Sequence, residues 1–218
     1  MNPLEAKRTL LTHAVGIRND DDSIEFEKTG YIGCLRPYTG IRHENFHTIV
    51  KALLIVGEQL HGTADVDREL VHAIWSLTVT ARIYGISPTG MLKRNSLITE
   101  SDAILLKEWN DIIESIGLGL MQGLPPHLEI ERYASYISRH EHCGNLEFTI
   151  PYFKQWLEDP ICNDPSEILP AILKLGPYRR KLFIPLRSLD TRDFPGYCRH
   201  ECEALLKLAV EACSDANA

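Results

Sequence analysis

Residues 29–60 read TGYIGCLRPYTGIRHENFHTIVKALLIVGEQL, and they decide the fold class. Gly30, Gly33, Pro37 and Gly40 punctuate the first half, so it is expected to turn sharply, with residues 35–38 extended ahead of the proline. In the second half the apolar residues fall at Phe46, Ile49, Val50, Leu53, Leu54 and Leu60, with Gly57 on the same face. That is the period of a helix, not of a strand, and Gly62 follows as a stop. An irregular loop running directly into an amphipathic helix is thus expected, the helix covering about 44–60.

Working outward, the same period recurs. Pro3 after Asn2 starts a helix over about 3–15. Asp65 caps the next, 66–84, whose apolar residues (among them Leu70, Val71, Ile74, Trp75 and Leu77) nearly encircle the axis. This helix is expected to be central and covered on most sides. Ser87-Pro88 opens a short helix, and Thr99-x-x-Asp102 resembles a capping box for another ending near residue 116. Further helices are expected from Pro125-Pro126 to about residue 140, over 149–158, from Asp164, and over 195–213. The run Gly117-x-Gly119-x-x-x-Gly123 lacks the spacing of a nucleotide loop and follows a helix rather than a strand. Residues 19–24 fail the calcium-loop pattern because Ile24 occupies a ligand position. The expectation is an all-α protein, one globular domain over 1–213 with a frayed tail at 214–218. It has about seven to nine helices in irregular orthogonal or bundle packing around the 66–84 helix.

Composition narrows the function. The 218 residues are 44% hydrophobic and 24% charged, ordinary globular values. A net charge of −7 argues against nucleic acid as a partner, because phosphate contact needs a basic surface. No apolar run reaches the ~20 residues that span a bilayer, and the first residues lack the apolar core of a secretory signal. The expected location is the cytoplasm, where the six scattered cysteines stay thiols.

Four constellations could carry chemistry. His43-Glu44-Asn45-Phe46-His47 matches H-E-x-x-H. On a helix, His43 and His47 share a face and can ligate zinc, with Glu44 as general base and Glu69, Asp67 or His72 as a third ligand. The alternative is a helix start whose histidines flank the core while Glu44 complements the helix dipole. Arg36, Tyr38 and Arg42 could converge on a small anion, or could tie the loop to backbone carbonyls. Arg139 to Cys143 and Cys198 to Cys202 cluster metal-capable side chains without an established finger spacing. The 178–200 segment is basic in an acidic chain.

No catalytic set outweighs its structural alternative. The sequence therefore points to a non-catalytic cytoplasmic protein that acts through a binding surface, on a protein partner or a second copy of itself. A zinc hydrolase on His43, Glu44 and His47, and an anion binder on Arg36, Tyr38 and Arg42, are the competing expectations. Trp75, Trp109 and Trp156 are available as core or interface anchors.

Overall fold

The computed structural model describes residues 1–14, 29–140, 146–159, 171–172 and 206–207. The fold is all-α: among the described residues there is no strand, only an isolated bridge pairing Leu35 with Tyr38. The chain divides into two compact units, Met1–Pro126 and His127–Ala218.

The first unit starts with α1 (Pro3–His13). Its cap is a reciprocal box: the Glu5 backbone N–H donates to Asn2 Oδ1 at 2.9 Å, and the Asn2 N–H donates to Glu5 Oε2 at 2.8 Å. Helix α2 (His43–Leu60) buries Phe46, Ile49, Val50, Ala52, Leu53, Leu54, Val56 and Gly57, the face its period marked out. Helix α3 (Arg68–Ala81) runs into a single π-helical turn, Arg82–Ile86. A short α4 (Met91–Arg94) and the long α5 (Glu100–Met121) follow. Thr99 caps α5 by accepting from the Asp102 N–H at 3.1 Å. Helix α2 packs against α1 and α5, and α3 packs against α1 and α5, so α2 and α5 carry the core between them.

Two glycines permit this packing. A Cβ at Gly117 would sit 2.6 Å from Cγ2 of Ile74, so the bare backbone of α5 is what admits the β-branched side chain of α3. A Cβ at Gly90 would lie 2.7 Å from the carbonyl oxygens of Ile83 and Tyr84 and 2.9 Å from that of Ser87. The π-turn therefore folds back onto the start of α4 only because residue 90 has no side chain.

A 3-10 turn, Pro126–Glu129, starts at the last residue of the first unit and leads into α6 (Ile130–Arg139) of the second. A second 3-10 turn, Glu147–Thr149, leads into α7 (Ile150–Glu158). Tyr133 stacks on Tyr136 and on Phe148, with centroids 6.4 and 6.2 Å apart, and His127 Nε2 meets Asp159 Oδ2 at 2.9 Å.

Several expectations need correcting. The cap of α3 is Asp67, not Asp65, because Lys7 Nζ bridges Asp67 and Glu69 at 2.6 Å each while Asp67 accepts the Glu69 N–H at 2.8 Å. Nor is α3 covered on most sides: Trp75 is 66% exposed, and Val71 and Ile83 also face outward. Helix α5 does not end near residue 116; it runs through Gly117 and Gly119 to Met121, and Gly117 serves a close helix contact with Ile74 rather than a turn. The short helix begins at Met91, after the Ser87-Pro88 turn, and Pro126 opens a 3-10 turn before α6. The helices expected from Asp164 and over 195–213, the cysteine clusters and the basic 178–200 segment lie outside the described residues.

Replacing Gly90 by alanine drives a methyl into three backbone carbonyls that no rotamer change can move. Gly90→Ala is expected to lower unfolding free energy by about 1–3 kcal/mol, read as a reduced midpoint in urea denaturation.

Candidate functional site

The loop before α2 is tightly wound. Successive turn bonds close it: Cys34 N to Gly30 O, Leu35 N to Ile32 O, Arg36 N to Gly33 O and Thr39 N to Cys34 O. Tyr31, Ile32, Cys34 and Leu35 are buried, so the apolar side chains of the loop form part of the core. Helix α1 grips this winding through its last residue. His13 Nδ1 accepts the Tyr31 N–H at 3.1 Å, and the His13 carbonyl accepts the Ile32 N–H at 3.2 Å. Accepting at Nδ1 requires the neutral ring with its proton on Nε2. Burial enforces the same state, holding the His13 pKa down at about 4. The Cys34 thiol donates to the Tyr31 carbonyl at 3.1 Å, and burial raises its pKa to about 11, partly opposed by the charge of Arg42. At neutral pH it is a packed thiol, not a nucleophile.

Two of the three residues expected to converge on an anion, Arg36 and Tyr38, make contacts to separate anchors. Arg36 Nη1 donates to the Tyr84 hydroxyl at 3.1 Å, and its guanidinium lies 5.9 Å from the centroid of that ring. Tyr38 Oη donates to Asp102 Oδ2 at 2.7 Å, which ties the loop to the first turn of α5. Burial, then this hydrogen bond, raises the Tyr38 pKa. The Arg36–Pro37 peptide is cis. Arg42 remains exposed at the N-cap of α2, where no side chain caps the helix.

The H-E-x-x-H residues occupy the first turn of α2 and pack on aromatic rings. His43 meets Trp109 edge-on at 5.0 Å, while Phe46 stacks on the same indole at 5.0 Å with the planes 2° apart. His47 lies 5.3 Å from Phe46. Burial first, and then the nearby His43, lower its pKa to about 4. Glu44 is exposed. Glu69, considered as a third ligand, is engaged by Lys7, and His72 is exposed on α3. No group of three His, Cys, Asp or Glu side chains suited to a metal ion occurs among the described residues.

A different surface emerges where α3 and α5 lie antiparallel. Ile74 packs on Gly117, and Arg82 reaches across to form an ion pair with Glu114. One residue beyond each packing contact, Trp75 and Leu118 point outward, 66% and 52% exposed. Along α5 the residues Ile104, Lys107, Asp111, Glu114 and Leu118 follow one another at steps of three and four, which places them in one stripe at 3.6 residues per turn. All five are exposed or half-buried, and Lys107 Nζ pairs with Asp111 Oδ2 at 2.6 Å within the stripe. Sequence reasoning missed this face because it ended the helix before Leu118 and placed Trp75 on a covered helix. The three-four spacing after Thr99 was the available signal. Trp109 and Trp156, by contrast, are buried.

Compared with protein-family models, with curated proteins and with solved structures, the chain shows no match.

Two measurements probe the loop. An unfolded histidine takes up its proton near pH 6.5, and His13 and His47 in the fold only near 4. The unfolded chain therefore binds more protons between those values, so this stability is full above pH 6.5 and declines as pH falls toward 4. Chemical denaturation across that range should show the decline, with a shallower slope for His13→Gln. Tyr38→Phe removes the donor to Asp102 and is expected to cost about 1 kcal/mol in the same measurement.

Proposed function

We propose that the protein acts by binding another polypeptide through the outer face of α3 and α5, in the cytoplasm, without catalysing a reaction. The exposure of Trp75 carries this reading: a tryptophan two-thirds open to solvent (66%), on the same face as the exposed Val71, Leu118 and Ile104. Large apolar side chains exposed on an otherwise polar surface lose free energy to water that a partner would recover. Tryptophan and arginine are the side chains that most often anchor such contacts, and Arg82 lies on the same face at the end of α3. The ordered shape of the face supports the reading too. Ile74 against Gly117 and Arg82 against Glu114 set α3 and α5 side by side, so a partner meets a rigid two-helix platform rather than a loop.

Some residues of the alternative sites make other contacts within the fold. Arg36 and Tyr38 are committed to Tyr84 and Asp102, and His43 to the edge of Trp109. An anion or a zinc ion would have to compete with those contacts.

The reading is tested by placing a photo-crosslinking amino acid at position 104 or 118 in cells that produce the protein. A discrete adduct that weakens with Trp75→Ala is expected. Labelling no stronger than that from a crosslinker at the exposed Glu58 on α2 would overturn it.

A further inference from the structure

We infer that the occupant of the α3–α5 outer face is a second copy of the same chain, docked antiparallel about a two-fold axis passing near Asp111. The inference rests on the reading that this face is a binding surface, and it names the partner.

The charge pattern of the stripe selects the partner. From its N-terminal end it runs Ile104, Lys107, Asp111, Glu114, Leu118: apolar, positive, negative, negative, apolar. Laid against its own reverse with Asp111 at the centre, Ile104 meets Leu118 of the second copy and Lys107 meets Glu114 of the second copy. Each of these contacts occurs twice, as an isologous interface requires. The central Asp111 residues approach one another, but each is already held by its own Lys107 at 2.6 Å, so the like charges are compensated within each copy. Arg82 holds Glu114 from the side. The dimer would then contain two chains of alternating sign, Arg82–Glu114 followed by Lys107–Asp111 of the second copy. Trp75 and Val71 flank Leu118 and close one apolar end, facing Ile104 of the other copy.

Charge balance separates this partner from others. The chain carries a net charge of −7, so two copies repel unless they meet through a neutral area. Along the stripe, Arg82 and Lys107 offset Glu114 and Asp111 in pairs, and the exposed Arg68, seven residues before Trp75, adds one positive charge on α3. The stripe itself therefore carries little net field to steer a strongly acidic or basic partner.

Size sets the expected strength. Residues 104 to 118 span about 21 Å of helix. With α3 about 8–10 Å to the side, the platform is roughly 20 Å wide. A footprint of roughly 400 Å² in projection on each copy, about 800 Å² over both, is below the size of standard specific interfaces, which makes the dimer weak and concentration-dependent rather than permanent.

Sedimentation equilibrium of the full chain, over a series reaching high micromolar concentration, should show a reversible monomer–dimer equilibrium. Lys107→Glu alone sets Glu against Glu114 of the second copy, and Glu114→Lys alone sets Lys against Lys107 of the second copy. Each is expected to weaken self-association at least about tenfold. Mixing the two variant chains in equal amounts restores opposite charges at both contacts, and dimer should return. A variant that merely unfolds cannot be rescued in this way. Three results would overturn the inference: a wild-type chain monomeric throughout, a dimer indifferent to both substitutions, or two dissociated variants that stay apart when mixed. If the chain is monomeric while the crosslinker at 104 or 118 captures a protein of another mass, the binding-surface reading stands and the second copy is excluded. If no adduct forms at all, both fall together.

Discussion

The first unit depends on one contact, the stacking of Phe46 on Trp109 at 5.0 Å with nearly parallel planes. It joins α2 to α5, the two helices that carry most of the core, and both rings are fully buried. Other groups are arranged around the same indole. His43 meets it edge-on, and Tyr31 lies 6.4 Å from it at a tilt. Tyr31 in turn is held by His13 at the end of α1. The aromatic cluster therefore links α1, the wound loop, α2 and α5. Burying rings of this size supplies apolar area that a few aliphatic contacts could not match.

This constraint explains why a metal-site motif lies where it does. Helix α2 must present Phe46 to Trp109, and a helix places the residues three before and one after it on the borders of that contact. Those residues are His43 and His47. Burial lowers the pKa of His47 to about 4, which keeps the ring neutral near the core. The same logic applies to the loop. Tyr38 on Asp102 and Arg36 on Tyr84 fasten a glycine- and proline-punctuated segment that is wound by turn bonds rather than by helix or sheet. Its arginine and tyrosine are the means by which an irregular segment is fixed against two helices.

Helix α5 has two distinct faces. The inner one, with Trp109, Ile113, Ile116, Gly117 and Leu120, is closed by α2 and α3. The outer one alternates charge and bulk along a stripe whose residues are exposed or half-buried. The glycine that lets Ile74 approach also sets α3 beside this stripe, with Trp75 and Leu118 each one residue beyond that contact and exposed. The close packing of the interior and the shape of the outer platform thus have a common cause.

Much of the fold was legible in the residues alone. The helical period of α2, the Asn2–Glu5 cap and the Thr99 cap all depend on neighbours within a few positions, and local patterns report local neighbours well. Spacing alone offered both Asp65 and Asp67 as caps; Asp67 accepts the Glu69 N–H and is also held by Lys7, sixty residues earlier in the chain. The close approach at Gly117 depends on Ile74, and the engagement of Arg36 and Tyr38 depends on Tyr84 and Asp102. Composition showed three tryptophans, and only packing separated the buried Trp109 and Trp156 from the exposed Trp75. By itself the sequence determined that the chain is helical and which face of α2 is apolar, since both follow from spacing along the backbone. The tertiary structure decided which apolar residues find a partner within the chain, because that depends on what occupies the facing position, and spacing does not encode it.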